Sequence, residues 1–243
     1  MDNPSQNRET INEQLNLTRC EGLWFQDCGL VIQAEETIFR LSRDMLATQS
    51  PVFRDMLSLP APQDVDTMDG CPFVLVPDPA NDVAAFLCAL FYYDFFEPFP
   101  APTTFEILAS VLRMSYKYEV DALRKRALIH LSSAHSTQFG DGRPLHQNFP
   151  SWRTALADGT NDENILIVEL ARQVGADWIL PTAFYRMCAQ SYEETIITRP
   201  NLSTEDQIRY FRGLRSLRPR ERLAFYSFCG ITTLPCVPGP MNV

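Results

Sequence analysis

The stretch Phe39 to Leu57, FRLSRDMLATQSPVFRDML, constrains the fold more than any other part of the chain. It reads as a strand end running into two short helices. Phe39 and Leu41 alternate with Arg40, the period of a half-buried strand. Ser42 is placed to cap a helix whose apolar positions are Met45 and Leu46. Ser50-Pro51 is a second, stronger helix start. The serine oxygen accepts an orphan backbone N–H, and proline has no N–H to leave unpaired at the first helical position. Val52, Phe53, Met56 and Leu57 then share one helical face, and Pro60 and Pro62 stop the helix.

Elements of the same scale flank this stretch. Gly29 to Ile32 reads as a strand, Glu35-Glu36 as a turn, and Thr37 to Leu41 as the hairpin partner. Residues 1–16 are polar and expected to be disordered, with Leu23-Trp24-Phe25 opening the ordered part. The segment PAPQDVDTMDG is a polar loop, and Phe73 to Val76 is a third strand. Asn81 or Asp82 is the expected cap of a helix burying Val83, Phe86, Leu87, Leu90 and Phe91. FFEPFPAP is a stiff aromatic loop. Thr103 is the expected cap of a helix with Ile107, Leu108, Val111 and Leu112 inward, and a further helix buries Val120, Leu123, Ala127, Leu128 and Leu131. Residues 136–150, rich in Gly, Pro and His, are read as a linker. Beyond them, residues 151–230 read as all helical. Ile167, Val168, Leu170, Ala171 and Val174 form one face stopped at Gly175. Trp178 to Pro181 turns into a helix carrying Ala183, Phe184 and Met187. Ser203 to Asp206 resembles a capping box, followed by Ile208, Phe211 and Leu214, and Pro219 starts a last helix. Residues 231–243 are a Pro/Gly-rich tail.

Composition narrows the function classes. The 243 residues are 45% apolar and carry a net charge of −9. That charge lies in residues 1–150, with 11 basic against 20 acidic side chains, while residues 151–243 hold 10 of each. An acidic first half argues against nucleic acid as its partner, since phosphate binding is driven by positive charge. No run reaches the ~20 apolar residues of a membrane span, and the first ten residues hold no apolar leader core. Seven scattered cysteines fit reduced thiols in the cytoplasm or nucleus better than a disulfide framework.

Catalytic chemistry finds little to stand on. His130 and His135 are five apart, off the spacing that sets two ligands on one helical face. Cys229 and Cys236 lack partners for a metal site. GxSxG, GxGxxG and GxxxxGK do not occur, and Glu35-Glu36 and Glu193-Glu194 read as solvated pairs. The chain is therefore expected to be no enzyme, with no cofactor, metal or small-molecule substrate. The arginines from Arg209 to Arg222 drift around a helix and are interrupted by Pro219, which spreads them over a solvated surface. Phe95, Phe96 and Phe99 in the aromatic loop are candidates for partner docking, against the alternative that they pack on the neighbouring helix pair.

The order of these pieces resembles a BTB (POZ) domain of the fungal type. Leu23-Trp24-Phe25 with Asp27 is similar to the opening of its first strand. Phe39-Arg40, Arg43, Leu46-Ala47, Ser50-Pro51 and Phe53-Arg54-x-Met56 match its most diagnostic run. Cys71-Pro72 with Val74 is similar to its third strand, and Lys117-Tyr118, Val120 and Leu123 match its closing helix pair. The resemblance covers residues 17–135. Ala171, Leu180-Pro181, Ala183-Phe184-Tyr185 and Gly213 also look like the helical extension of fungal members. Ser42 stands where the family usually has His, and the early Asp that pairs with the family's Arg has no clear counterpart for Arg43. The resemblance implies an α+β fold, a small sheet with helical hairpins, followed by an all-α region. It implies a protein-interaction role, with self-association through Trp24, Phe25, Arg43, Met45 and Leu46. Its two downstream uses are a transcription-linked scaffold and a substrate adaptor for a cullin-type ubiquitin ligase. The cullin-binding motif is apolar-x-Glu. Here the loop from Ser58 to Gly70 holds no Glu, and its apolar residues before acidic ones, Val65-Asp66 and Met68-Asp69, have the wrong spacing and a side chain one methylene short.

Overall fold

A computed structural model describes residues 17–59, 67–68, 70–134, 163–189 and 193–228, with the side chains of 134, 189, 193–194 and 218–228 left aside. The chain divides into two compact units, Met1–Ala155 and Leu156–Val243. The expected linker at 136–150, the N-terminal 1–16 and the tail 231–243 lie outside the described residues. The fold class is α+β. Among the described residues there are a five-stranded mixed sheet and nine α-helices.

In the first unit the strands are β1 (Thr18–Trp24), β2 (Leu30–Ala34), β3 (Thr37–Leu41), β4 (Thr67–Met68) and β5 (Cys71–Val76). Their order across the sheet is β1-β3-β2-β5-β4. The β2–β3 hairpin is antiparallel, with Ile32 opposite Phe39, and β5 runs parallel to β2. A parallel return needs a long crossover, which the helical hairpin α1 (Arg43–Gln49) and α2 (Pro51–Ser58) begins. Helices α3 (Ala80–Phe91), α4 (Phe105–Lys117) and α5 (Asp121–Ala134) follow. Leu30, Ile32, Ala34, Phe39 and Leu41 from the hairpin are buried, as are Val83, Phe86 and Leu87 of α3 and Leu108, Val111 and Leu112 of α4.

Four local expectations shift. The strand β1, whose TRCEGLW has no clean alternation, begins at Thr18, well before Leu23. The polar loop contains the short strand β4, whose Met68 pairs with Cys71. Neither Asn81 nor Asp82 caps α3: its N-cap position is Pro79, and the carboxylate of Glu35 in the hairpin turn accepts the Ala80 N–H at 2.9 Å. Glu35 takes a left-handed backbone, φ 51°, at that turn, so the first glutamate of the pair is a working cap. Asp82 instead takes Ser110 Oγ at 2.6 Å and Arg113 at 2.9 Å, which fastens α3 to α4. Burial pushes the Asp82 carboxyl up, but the hydrogen bonds from Arg113 and Ser110 outweigh it and hold it below its ordinary value. The cap of α4 is Thr104, one residue after the expected Thr103, and it accepts the Ile107 N–H at 3.3 Å.

The second unit comprises α6 (Glu163–Gln173), a 3₁₀ turn (Asp177–Ile179), α7 (Leu180–Ala189), α8 (Glu193–Thr198) and α9 (Thr204–Phe228). Gly175 ends α6 in the left-handed region at φ 66°, where glycine carries no Cβ penalty. The backbone of α9 runs through Pro219, which therefore starts no helix of its own. The buried face of α9 is Asp206, Tyr210 and Leu214, while Ile208 and Phe211 are exposed. Ser203 Oγ caps α9 by accepting the Asp206 N–H at 3.1 Å, and it also donates to the Asp206 carboxylate at 3.0 Å. That carboxylate is gripped by Arg172 of α6 at 2.8 Å and by Arg209 at 2.8 Å, which explains an acidic residue on the buried face. Gly213 lies where α9 crosses α7, and a Cβ there would sit 2.7 Å from Cys188 Sγ. Among the described residues no helix is long and apolar enough to cross a membrane.

Candidate interaction surface

The helical hairpin is set by one serine and one tyrosine. Ser50 Oγ accepts the Phe53 N–H at 3.1 Å and donates to the Tyr118 carbonyl at 2.6 Å, so the cap of α2 is also a tie to the end of α4. The Tyr118 ring stacks on Phe53 at 4.5 Å and meets Phe86 at 5.7 Å. Its hydroxyl donates to Asp78 at 2.7 Å. Burial first, and then the Asp78 carboxylate beside it, push this phenol far above its ordinary value, so it stays protonated. This framework fixes the orientation of α1, where Ser42 accepts the Met45 N–H at 3.3 Å. Leu46 is consequently core and cannot contact a partner, whereas Met45 is 45% exposed. Arg43 is exposed and donates to the Leu57 carbonyl at the far end of α2, closing the hairpin.

The five expected self-association residues therefore separate. Trp24 lies opposite Arg40 at the end of β1, and α1 starts three residues after Arg40. Arg19 covers the Trp24 ring at 4.6 Å. Phe25 turns elsewhere and stacks on Phe91 of α3 at 5.7 Å. Trp24 joins Leu17, Met68 and Phe73 in packing on buried Val31, Ile38 and Cys71. Thus Trp24 and Met68, separate candidates in sequence, meet on one sheet face. Leu75 belongs to the same face as Phe73 and is 66% exposed. Beside this cluster is a concavity of about 530 Å³ lined by Leu17, Arg19, Glu21, Trp24 and Gln26. Asp69 lies outside the described residues.

The aromatic loop also divides. Phe96 is 1% exposed and cannot be a docking residue. It packs against buried His130 at 5.1 Å, while Arg126 donates to the Phe96 carbonyl at 2.7 Å. His130 Nε2 lies 2.9 Å from the Glu97 carbonyl; because a carbonyl only accepts, that nitrogen carries the proton. Phe95 is partly exposed. Phe99 meets the His130 ring edge-on at 5.9 Å and remains 43% exposed. It forms one wall of a groove of about 610 Å³ along the outer side of α5, with Leu128 and Ile129 as floor and Asp121, Arg124 and Lys125 as rim. That α5 wall was not apparent in the sequence, where Ile129 breaks the buried pattern as a single exposed apolar residue.

Among the described residues no group of three or more His, Cys, Asp or Glu is placed to hold a metal. Burial raises the Cys28 and Cys88 thiols, which makes them poor nucleophiles. Comparison with protein-family models gives no match, and comparison with curated protein sequences gives none.

Proposed function

We propose that the chain is a protein-interaction module of the BTB/POZ type, which associates with a second copy of itself and acts as a scaffold. The observation that carries this reading is the second face of the sheet. A sheet covered on one side ordinarily turns polar residues to the other. Here that other face holds an apolar cluster built, among the described residues, from the strands and Leu17, with Trp24, Met68 and Phe73 around it and Leu75 open beside it. Met45 on α1 is a further exposed apolar side chain of the same unit, and burying about 800 Å² per copy is what a specific complex requires. The chain order supports the family assignment: a hairpin, a helical hairpin, a strand parallel to the first of the hairpin, then paired helices.

Scaffolding ranks ahead of cullin recruitment because the Ser58 to Gly70 loop contains no Glu and Met68 is committed to the sheet cluster. The Phe99 groove is the second docking point in this reading. Light scattering across concentration tests it. A dimer forming below about 10 μM, a routine range for functional complexes, is expected. A chain that stays monomeric at ~100 μM contradicts it.

A further inference from the structure

The groove beside α5 pairs an apolar floor with cations at one end. Asp121, Arg124, Lys125, Leu128 and Ile129 line it at steps of three, one, three and one. Those steps keep to one face of the helix for just over two turns, about 12 Å. Arg124 lies one turn before Leu128, and Lys125 one turn before Ile129. Phe99 closes the other side and is held there. Its ring meets His130 edge-on, His130 donates to the Glu97 carbonyl, and Arg126 donates to the Phe96 carbonyl. The groove is therefore formed before anything binds in it.

The cations at its end are not neutralised. Among the described residues of the first unit, Arg40, Arg43, Arg113, Lys117 and Arg126 each donate to a carbonyl or a carboxylate. Arg54 pairs with Asp55, and Arg19 covers Trp24. Arg124 and Lys125 differ: among the described residues, the side chain of neither makes a hydrogen bond or an ion pair. Arg124 lies over the Tyr116 ring at 4.9 Å, which orients the guanidinium while taking up none of its donors. The lining acid, Asp121, stands in the first turn of α5, where the helix dipole favours a carboxylate, and it pairs with neither cation. An oriented guanidinium beside an ammonium, one turn from an apolar slot of about 610 Å³, is complementary to a carboxylate one turn from a large apolar side chain.

From this complementarity we infer that the groove takes an amphipathic helix of a partner protein. Its Leu, Ile or Phe packs on Leu128, Ile129 and Phe99, and its Asp or Glu, three or four residues away, meets Arg124 and Lys125. A helix is the occupant because its own turn repeats the one-turn offset between charge and floor on α5. A basic or wholly apolar segment would cover the Arg124 donors without giving them an acceptor. The inference rests on reading the chain as an interaction module and names the chemistry of its second partner.

The test is selection from a display library of Ala-rich helical peptides, about 15 residues long, on the immobilised full chain. Fluorescence anisotropy then measures the selected peptides against the full chain and two variants. Enriched peptides are expected to carry Asp or Glu three or four residues from a large apolar residue and to bind with a Kd of about 1–100 μM. Lys125→Glu should weaken them about tenfold at low salt, the difference narrowing as ionic strength rises. Ile129→Ser should weaken them about fivefold or more. Both positions are exposed, and an unchanged melting temperature establishes that the variants fold. Peptide binding is read on monomer and dimer alike, so its failure leaves self-association standing, and a chain that stays monomeric leaves this inference standing. Four outcomes overturn it: no peptide bound more tightly than about 1 mM, selected peptides without an acidic residue, equal binding to the parent and both variants, or an Ile129→Ser chain that loses self-association in light scattering, which assigns the groove to a second copy.

Discussion

Replacing Ser50 with Ala removes one hydroxyl with two separate jobs. The side chain is fully buried, so no water replaces what is lost. Losing the cap of α2 costs about 1 kcal/mol. Losing the donor to the Tyr118 carbonyl, now 2.6 Å away, leaves a buried acceptor short of a partner and costs about 1–3 kcal/mol more. The sum is about 2–4 kcal/mol, a large part of the stability of one small domain. For a unit of this size it lowers the melting temperature by roughly 8–15 °C. Urea and thermal unfolding by circular dichroism measure it. Ser50→Asp separates the two jobs, because a carboxylate caps a helix but cannot donate to a carbonyl. It is expected to be no more stable than Ser50→Ala. An Ala variant within ~0.5 kcal/mol of the parent, or full recovery in the Asp variant, would refute the double role.

Other substitutions probe other joints. Phe53→Ala deletes the ring stacked on Tyr118 and should cost about 3–5 kcal/mol, whereas Tyr93→Ala, at a side chain 86% exposed, should stay within ~0.5 kcal/mol; equal effects would mean that the register of α2 is wrong. Gly213→Ala places a Cβ against Cys188 and should destabilise by about 1–2 kcal/mol net of its helix-propensity gain, with Cys188→Ala recovering part of the loss in a double-mutant cycle. Burial raises the Asp206 carboxyl, but Arg172, Arg209 and Ser203 together hold it below its ordinary value. A carboxyl depressed in the folded state contributes stability above its unfolded pKa and loses it as pH falls through the folded one. Unfolding scans should therefore weaken below about pH 4, and Asp206→Asn should flatten that acid limb while lowering stability at pH 7.

What the sequence made legible was local chemistry. Ser42 and Ser50-Pro51 cap the helices expected of them because a cap is written within four residues. The hairpin from Leu30 to Leu41 and the strand at Phe73 follow from period and turn in the same way. The misplaced features depend on partners distant in the chain. Glu35 caps a helix 45 residues later, and β1 is held by β3 and Tyr92. The buried face of α9 includes Asp206 because Arg172 reaches it from α6, and apolar periodicity is blind to that pairing. In the candidate surface, Phe95, Phe96 and Phe99 are alike as letters. His130 and Arg126, one helix away, decide that Phe96 goes in and Phe99 stays out. Adjacent Met45 and Leu46 had to face opposite ways, but the packing of the hairpin against Tyr118 was needed to say which.

Amide hydrogen exchange at two concentrations, about 1 and 100 μM, on either side of the association expected for such a module, tests the central claim most directly. The account predicts added protection at the higher concentration in β1 from Thr18 to Trp24 and in α1 from Arg43 to Gln49, with the interior of α4 unchanged. Exchange that is the same at both concentrations in β1 and α1 would contradict it.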